Sequence, residues 1–368
     1  HLKNIQKHHS FLFKFDLMTI DLKKSNPTIL LGMPRHYNLY QSIIKNLQHH
    51  NFQVIDVVQA DNFKYPSVWS RIQTKLQKVV LRDTTAKQRL KDKVFDTNLR
   101  QLLPLMQDLD YALFIRGDIY PAWFLEATQE YSKSGSVNYQ WDGLNRFPDI
   151  WQVKSCFDRF YVFDSNDFET TENVLPAMNF YFDYPLKPTD EQSDFYFTGA
   201  DLPERRQVIA DFGRLAKKQG WKLNFTLLLT DSASRHEAPK IFPDNIHLTL
   251  KFSSFEDNLR QAKASKVLVD FVNSHHTGLS FRVFEALGYH KKLITTNPTV
   301  ADYDFYHPNN IFIWDGKSLD GIETFFKLPY IQLDKELYEK YSFGNWIRYI
   351  LDIHPHQKIT LPVSKNAV

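Results

Sequence analysis

The sequence predicts an α/β protein built from two doubly wound domains that face each other across a cleft. Three observations predict it. Short apolar runs alternate with stretches of helical spacing along most of the chain, the pattern of parallel sheets covered by helices. The 368 residues exceed the size at which a single core stops growing, so two domains with one core each are expected. Between about 184 and 195, "YPLKPTDEQSD" carries two prolines and no apolar periodicity, which sets a boundary between two runs of the same pattern.

In chain order, "PTILLGMP", "NLYQSIIKNLQHH" and "FQVIDVV" read as strand, helix and strand. "DLDYALFIRGD" is a buried strand running into a loop, and "PAWFLEATQEYSKSG" a helix that ends at Gly135. "SVNYQWDG" and "RFYVFDS" are two more strands. After the boundary come "FYFTGA", "ERRQVIADFGRLAKKQG", "KLNFTLLLT", "IHLTLK", "FEDNLRQAKAS", "KVLVDFV", "LSFRVFEALGYH", "KKLITTN" and "NIFIWD", strands and helices again. "DKELYEKYSFGNWIRYIL" reads as a last helix folding back on the first domain. The expected division is 1–27 as an N-terminal extension, 28–184 as the first Rossmann-like domain, 195–333 as the second, and 334–368 as the returning helix and tail.

Composition narrows the function classes. With 43% hydrophobic and 24% charged residues the chain is ordinary globular material, rich in aromatics at 30 Phe and 18 Tyr. No apolar run reaches the ~20 residues of a membrane span. The single cysteine, Cys156, excludes an internal disulfide and suits a reducing compartment, so a cytoplasmic location is expected. A net charge of +3 spread over this length says little by itself about nucleic acid, whose binders concentrate their basic residues on one face, and no nucleic-acid partner is expected. One stretch is locally basic, with Arg71, Lys75, Lys78, Arg82, Lys87, Arg89, Lys91 and Lys93 against Asp83 and Asp92. It is either a solvated helix face or a contact with the anionic inner face of the cytoplasmic membrane.

The segment "HHTGLSFRVFEALGYHKKLITTN", residues 275–297, carries the densest chemistry. It lies beyond the strand "KVLVDFV" and opens a helix, whose first N–H groups attract phosphate. Gly278 permits close backbone approach, and Arg282 and Glu285 share a helix face at i, i+3. That pair either binds a nucleotide diphosphate and its ribose or forms an intrahelical ion pair. At another strand end, Gly199 precedes Arg205 and Arg206, cations able to neutralise a leaving diphosphate or simply to open a helix. The loop near Lys251 and Phe252 is a candidate base reader, with Phe252 alternatively in the core. Should the chain move a group onto a hydroxyl with inversion, that hydroxyl needs a base. Asp142, after Trp141 and before Gly143, is the first choice, the alternative being a turn or helix-capping acid. Asp118 with Arg116 forms acceptor contacts or a local pair. Gly32, Pro34 and Arg35 follow the first strand toward the cleft. No metal-ligand cluster stands at the donor site, so metal-independent transfer is expected.

The order of elements and the segment "ASKVLVDFVNSHHTGLSFRVFEALGYHKKLITTN" resemble the B-type-fold glycosyltransferases, two facing Rossmann-like domains, of bacterial lipopolysaccharide and capsule biosynthesis. The likeness extends to "FTGADLPERRQVI", "DFYHPNNIFIWD", "DYALFIRGD" and "VNYQWDGLNRFPDI". His276 stands where such enzymes often carry glutamine. The resemblance implies that Glu285 binds the ribose, that Thr277, Gly278, Leu279 and Ser280 line the diphosphate loop, and that Arg282 supports it, with His276 a further donor-site residue. It further implies a nucleotide sugar, UDP-linked by preference, as donor substrate, no separate cofactor, and an oligosaccharide or lipid-linked glycan as acceptor. A sugar-nucleotide epimerase or hydrolase of the same fold, and a non-catalytic binding protein, are the alternatives.

Overall fold

The computed structural model describes residues 26–58, 69–70, 85–187, 189–272, 278–318 and 320–362. Twelve strands among these form two six-stranded sheets in which every named strand pairing is parallel. The first holds β1 (Thr28–Gly32), β2 (Gln53–Asp56), β3 (Tyr111–Ile115), β4 (Ser136–Gln140), β5 (Arg159–Val162) and the short β6 (Leu175–Pro176), in the order β2-β1-β3-β4-β5-β6. The second holds β7 (Ser193–Ala200), β8 (Leu223–Leu228), β9 (His247–Thr249), β10 (Ser265–Asp270), β11 (Lys292–Thr295) and β12 (Ile311–Ile313), in the order β12-β11-β10-β7-β8-β9. Each order reverses once, between β1 and β3 and between β7 and β10. In doubly wound sheets the crevice at the carboxyl ends of such a strand pair is where ligands enter. The chain therefore has the two-domain Rossmann-like architecture of the B-type fold.

The two domains do not keep separate cores. One face of the first sheet buries Leu30, Ala112, Phe114, Phe124 and Phe160, and one face of the second buries Phe195, Phe197, Phe212, Val267 and Val269. Their remaining faces share a single cluster that runs from Ile29, Leu31 and Tyr139 through Phe180 and Phe182 to Tyr196, Leu268 and Val283. The expectation of one core each is corrected on this point. The reason is visible in the crossing segment, where Phe180, Phe182, Tyr184 and Leu186 are buried and drag the chain through the seam before it becomes exposed at Lys187.

The C-terminal segment also closes the seam, as two helices rather than one. Lys335–Lys340 ends at Tyr341, and Ser342 caps a new helix, Phe343–Leu351, by accepting from Asn345 N at 3.1 Å. A serine side chain at that position satisfies an otherwise unpaired N–H and so starts a helix. Trp346, 1% exposed, sits 5.3 Å from the Tyr139 ring and 4.4 Å from that of Phe180, and Arg159 Nη2 donates to Leu351 O at 3.3 Å.

Two further elements differ from expectation. The helix that opens after Pro121 stops at Tyr131, and Gly135 instead supplies the turn into β4 with φ 103°. The helix Ser232–Ile241 was hidden by Pro239 within its last turn; Asp231 caps it, accepting from Ser234 N at 2.7 Å.

Candidate active site between the two sheets

Segments that follow strand ends of both domains meet. Phe163, after β5, fills the space in which a side chain at Gly278 would stand, a Cβ there lying 2.3 Å from its ring. Asn179 Nδ2 donates to Leu279 O at 2.9 Å, and its Oδ1 accepts from the Tyr139 hydroxyl at 3.0 Å. At the far rim the rings of Tyr37, after β1, and Phe252, after β9, lie 4.8 Å apart. The turn before helix Phe281–Gly288 is thus pressed against the first domain. His276 and Thr277, expected at the donor site, lie outside the described residues.

On the second sheet, the carboxyl end of β10 presents Asp270, 8% exposed. Ser280 Oγ donates to its Oδ1 at 2.9 Å and Thr295 Oγ1 to its Oδ2 at 3.0 Å. Ser280 occupies the helix N-cap position yet spends its hydroxyl on Asp270. Arg205 bridges the β7/β10 switch point, donating to Ala200 O at 2.7 Å and Phe271 O at 3.0 Å. Burial pulls its guanidinium below the ordinary arginine value, with Asp270 and then Glu204 opposing. Gly199 lies beside it, 3.4 Å separating an added Cβ from Arg205 Nη2. Arg282 and Glu285 form the ion pair, Nη1 to Oε2 3.1 Å, with the Arg282 guanidinium 4.6 Å from the centre of the Tyr196 ring. Burial pushes the Glu285 carboxyl above its ordinary range, Arg282 opposing.

Several of these groups are incomplete. Arg205 Nε is buried without a hydrogen-bond partner, as are both amide atoms of Gln140 and Nδ2 of Asn138 on β4, while Arg282 Nη1 and Glu285 Oε2 face each other at 3.1 Å without forming a hydrogen bond. Buried polar atoms are nearly always satisfied, and each one left bare costs roughly 1–3 kcal/mol.

Four expected site residues have other tasks. Arg206 is clamped to Asp201, Nε to Oδ1 2.9 Å and Nη2 to Oδ2 2.7 Å, and reaches Glu237 with Nη1, so its donors are committed within the domain. Gly32 pairs in register with Phe114, whose ring stands 2.5 Å from where its Cβ would be, so close packing requires a glycine there. Leu279 points into the shared core at 2% exposure. Asp118 is held by Arg116 through both oxygens, at 3.0 and 2.5 Å, while the guanidinium stacks on Phe147. The local pair is the arrangement present.

Asp142 lies beyond β4 with Arg146 Nη1 2.8 Å from its Oδ1. It and Tyr303 of the second domain both raise the Tyr139 hydroxyl, after the larger effect of burial, which puts Asp142 near the seam. Trp141 is half-buried against the shared core. Arg35 donates to the Tyr40 hydroxyl at 3.1 Å beside the β1/β3 crevice. Lys251 is exposed and Phe252 is 63% exposed, so the latter is no core residue. Sequence reasoning missed Asp270, Thr295, Tyr196 and Gln140. The one signal available was a polar residue ending or interrupting an apolar strand, as in "KVLVD" and "VNYQ".

No family model and no curated protein matches the chain. Among solved structures, it resembles a putative UDP-N-acetylglucosamine 2-epimerase from Listeria monocytogenes at 10% identity, covering 91% of this chain and 100% of that one with a TM-score of 0.47. It also resembles the N-terminal domain of a trehalose-6-phosphate phosphatase from Candida albicans at 11% identity, 88% and 95% coverage and a TM-score of 0.49. A glycosyltransferase from Rickettsia africae is similar at 10% identity, 89% and 94% coverage and a TM-score of 0.43. The likeness is one of chain architecture. Among the described residues no helix is long and apolar enough to cross a membrane.

Proposed function

We propose that the chain is a glycosyltransferase that moves a sugar from a nucleotide diphosphate sugar, UDP-linked by preference, to an oligosaccharide or lipid-linked acceptor of a bacterial surface glycan. The observation that carries the proposal is the buried polar cluster around the β7/β10 crevice, where Arg205 Nε has no hydrogen-bond partner and Arg282 Nη1 and Glu285 Oε2 face each other at 3.1 Å as an ion pair without forming a hydrogen bond. An anionic ligand carrying sugar hydroxyls would offer phosphate oxygens to the guanidinium groups and hydroxyl donors to the carboxylate. In this proposal Arg205 and the backbone at 278–280 hold the diphosphate, Arg205 supplies the charge that a metal would otherwise bring, and Glu285 takes the ribose hydroxyls. Lys251 and Phe252 stand at the base. Asp142 accepts the acceptor's proton once Arg146 releases it, and Arg35, Arg116 and Trp141 frame the acceptor side. Lys87, Arg89 and Lys93, exposed on the helix Ala86–Leu102, form the basic face that would meet an anionic inner membrane face.

The test is turnover against UDP-, GDP-, dTDP- and CMP-sugars, with nucleotide binding measured by calorimetry. Glu285→Gln is expected to weaken UDP binding by the 1.5–3 kcal/mol of a charge-assisted hydrogen bond, roughly 10- to 150-fold. Asp142→Asn is expected to lower turnover ~10²- to 10⁴-fold with UDP affinity retained. Turnover is expected to persist in EDTA. Absence of binding by all four nucleotides defeats the proposal; release of free sugar or an epimerised donor with no acceptor dependence replaces it with the epimerase or hydrolase alternative.

A further inference from the structure

The segment that leaves the last helix carries three side chains whose ligating atoms converge. Asp352 ends the helix Phe343–Leu351 in a left-handed conformation, φ 57°, and the chain then turns back. His354 Nε2 and His356 Nε2 each lie 3.5 Å from the same atom, Asp352 Oδ1. All three ligand atoms fall within 4.8 Å of one another, and the two imidazole rings stack with centroids 4.6 Å apart.

A distance of 3.5 Å is too long for a good hydrogen bond. It does match another geometry. When zinc is bound tetrahedrally at about 2.0–2.1 Å, neighbouring ligand atoms stand roughly 3.3–3.4 Å apart. Both nitrogens therefore sit near the tetrahedral edge from one carboxylate oxygen. The His356 side chain is only 13% exposed, and neither of its ring nitrogens has a hydrogen-bond partner, a costly state for a buried imidazole. Asp352 and His354, by contrast, are 62% and 77% exposed, so remaining coordination positions open to water.

The turn is also held in place independently. Gln357 N donates to Asn345 Oδ1 at 2.7 Å, Asn345 Nδ2 returns a bond to Gln357 O at 3.1 Å, and the Tyr349 hydroxyl lies between Pro176 O at 3.0 Å and Ile359 O at 3.3 Å. Preorganised ligands lower the ordering cost of binding a metal. A second cluster, His49, His50 and Asp183, lacks this vacancy: the Asp183 oxygens already accept from Asn46 Nδ2, His50 Nε2 and Gly344 N at 2.8–2.9 Å.

We propose that Asp352, His354 and His356 form a surface site for a first-row divalent cation, with zinc as the occupant that suits two imidazoles and one carboxylate. The ion pins the turn behind the helix that carries Trp346 and so fastens the strap closing the two domains. It stands apart from the sugar-nucleotide crevice, and the proposal does not rest on the function proposed for that crevice.

The experiment titrates the metal-stripped full chain with Co²⁺ and follows visible absorption, then follows unfolding temperature with and without Zn²⁺. Wild type is expected to take up one Co²⁺ at micromolar concentration with a tetrahedral spectrum, and Zn²⁺ is expected to raise its unfolding temperature. His354→Ala and Asp352→Asn, both at exposed positions, are expected to fold, to bind Co²⁺ more than tenfold more weakly, and to lose the Zn²⁺ shift. No saturable uptake by wild type overturns the proposal. So does wild-type binding in both variants, which assigns the metal to other histidines such as His8 and His9.

Discussion

Arg206 is where a binding role and a structural role make opposite predictions. Its guanidinium meets Asp201 through contacts of 2.9, 3.1 and 2.7 Å, and the two side chains are 9% and 0% exposed. Replacing Arg206 by Met keeps most of the aliphatic length but leaves the Asp201 carboxylate buried without its cation. Removing one partner of a buried pair costs about 3–5 kcal/mol, because the remaining charge is still desolvated. At roughly 3 °C per kcal/mol for a domain of this size, the unfolding temperature is expected to fall by about 10–15 °C. Asp201→Leu combined with Arg206→Met removes both charges, and most of the loss is expected to return. The assay is thermal unfolding by circular dichroism for the two single variants and the double, alongside calorimetric UDP binding by each folded protein. Structural commitment predicts a large instability with UDP affinity unchanged. A variant as stable as wild type that loses UDP affinity tenfold or more refutes the reasoning and returns Arg206 to the donor site.

Three other outcomes follow from named contacts. Gly278→Ala places a methyl 2.3 Å from the Phe163 ring, an overlap expected to cost ~1–3 kcal/mol by denaturant unfolding and to be relieved by Phe163→Leu; no change in stability shows that the seam is looser than described. Trp346→Ala is expected to cost about 3–5 kcal/mol and to raise protease sensitivity in both domains, whereas loss confined to the C-terminal helices contradicts its role as a strap. Asp167 accepts from Leu144 N at 2.8 Å, and burial, aided by Asp164 and opposed by that bond, raises its carboxyl above the ordinary value of 3.8. The folded state then holds this proton to higher pH than the unfolded chain, so its contribution is full below pH 3.8 and is lost as pH rises through the raised value. Asp167→Asn lacks that loss, and its stability relative to wild type is expected to climb between pH 4 and 7 in urea titrations; a flat or falling difference rejects the assignment.

The sequence by itself determined the strands, most of the helices and the two-sheet plan. Period-2 and period-3.6 patterning are local, and "TILLG", "YALFI" and "KVLVD", apolar on both faces and alternating with helical segments, fit strands of a covered parallel sheet. It also marked the turn at 278–280 and the i, i+3 pair Arg282 and Glu285, because spacing on one helix fixes which side chains meet. Partners distant in sequence were not legible. Whether an arginine serves a ligand or a carboxylate depends on what folds against it: Arg205 reaches Phe271 O across 66 residues, while Arg206 beside it is taken by Asp201 and by Glu237 on a helix that Pro239 concealed. The glycines divide in the same way, since nothing near Gly32 or Gly278 in sequence announces the rings of Phe114 and Phe163 that occupy their missing side chains. The shared core was decided last. Phe180, Phe182 and Trp346 are apolar in any arrangement, but only the docked domains offer them a common interior in which their surface is removed from water.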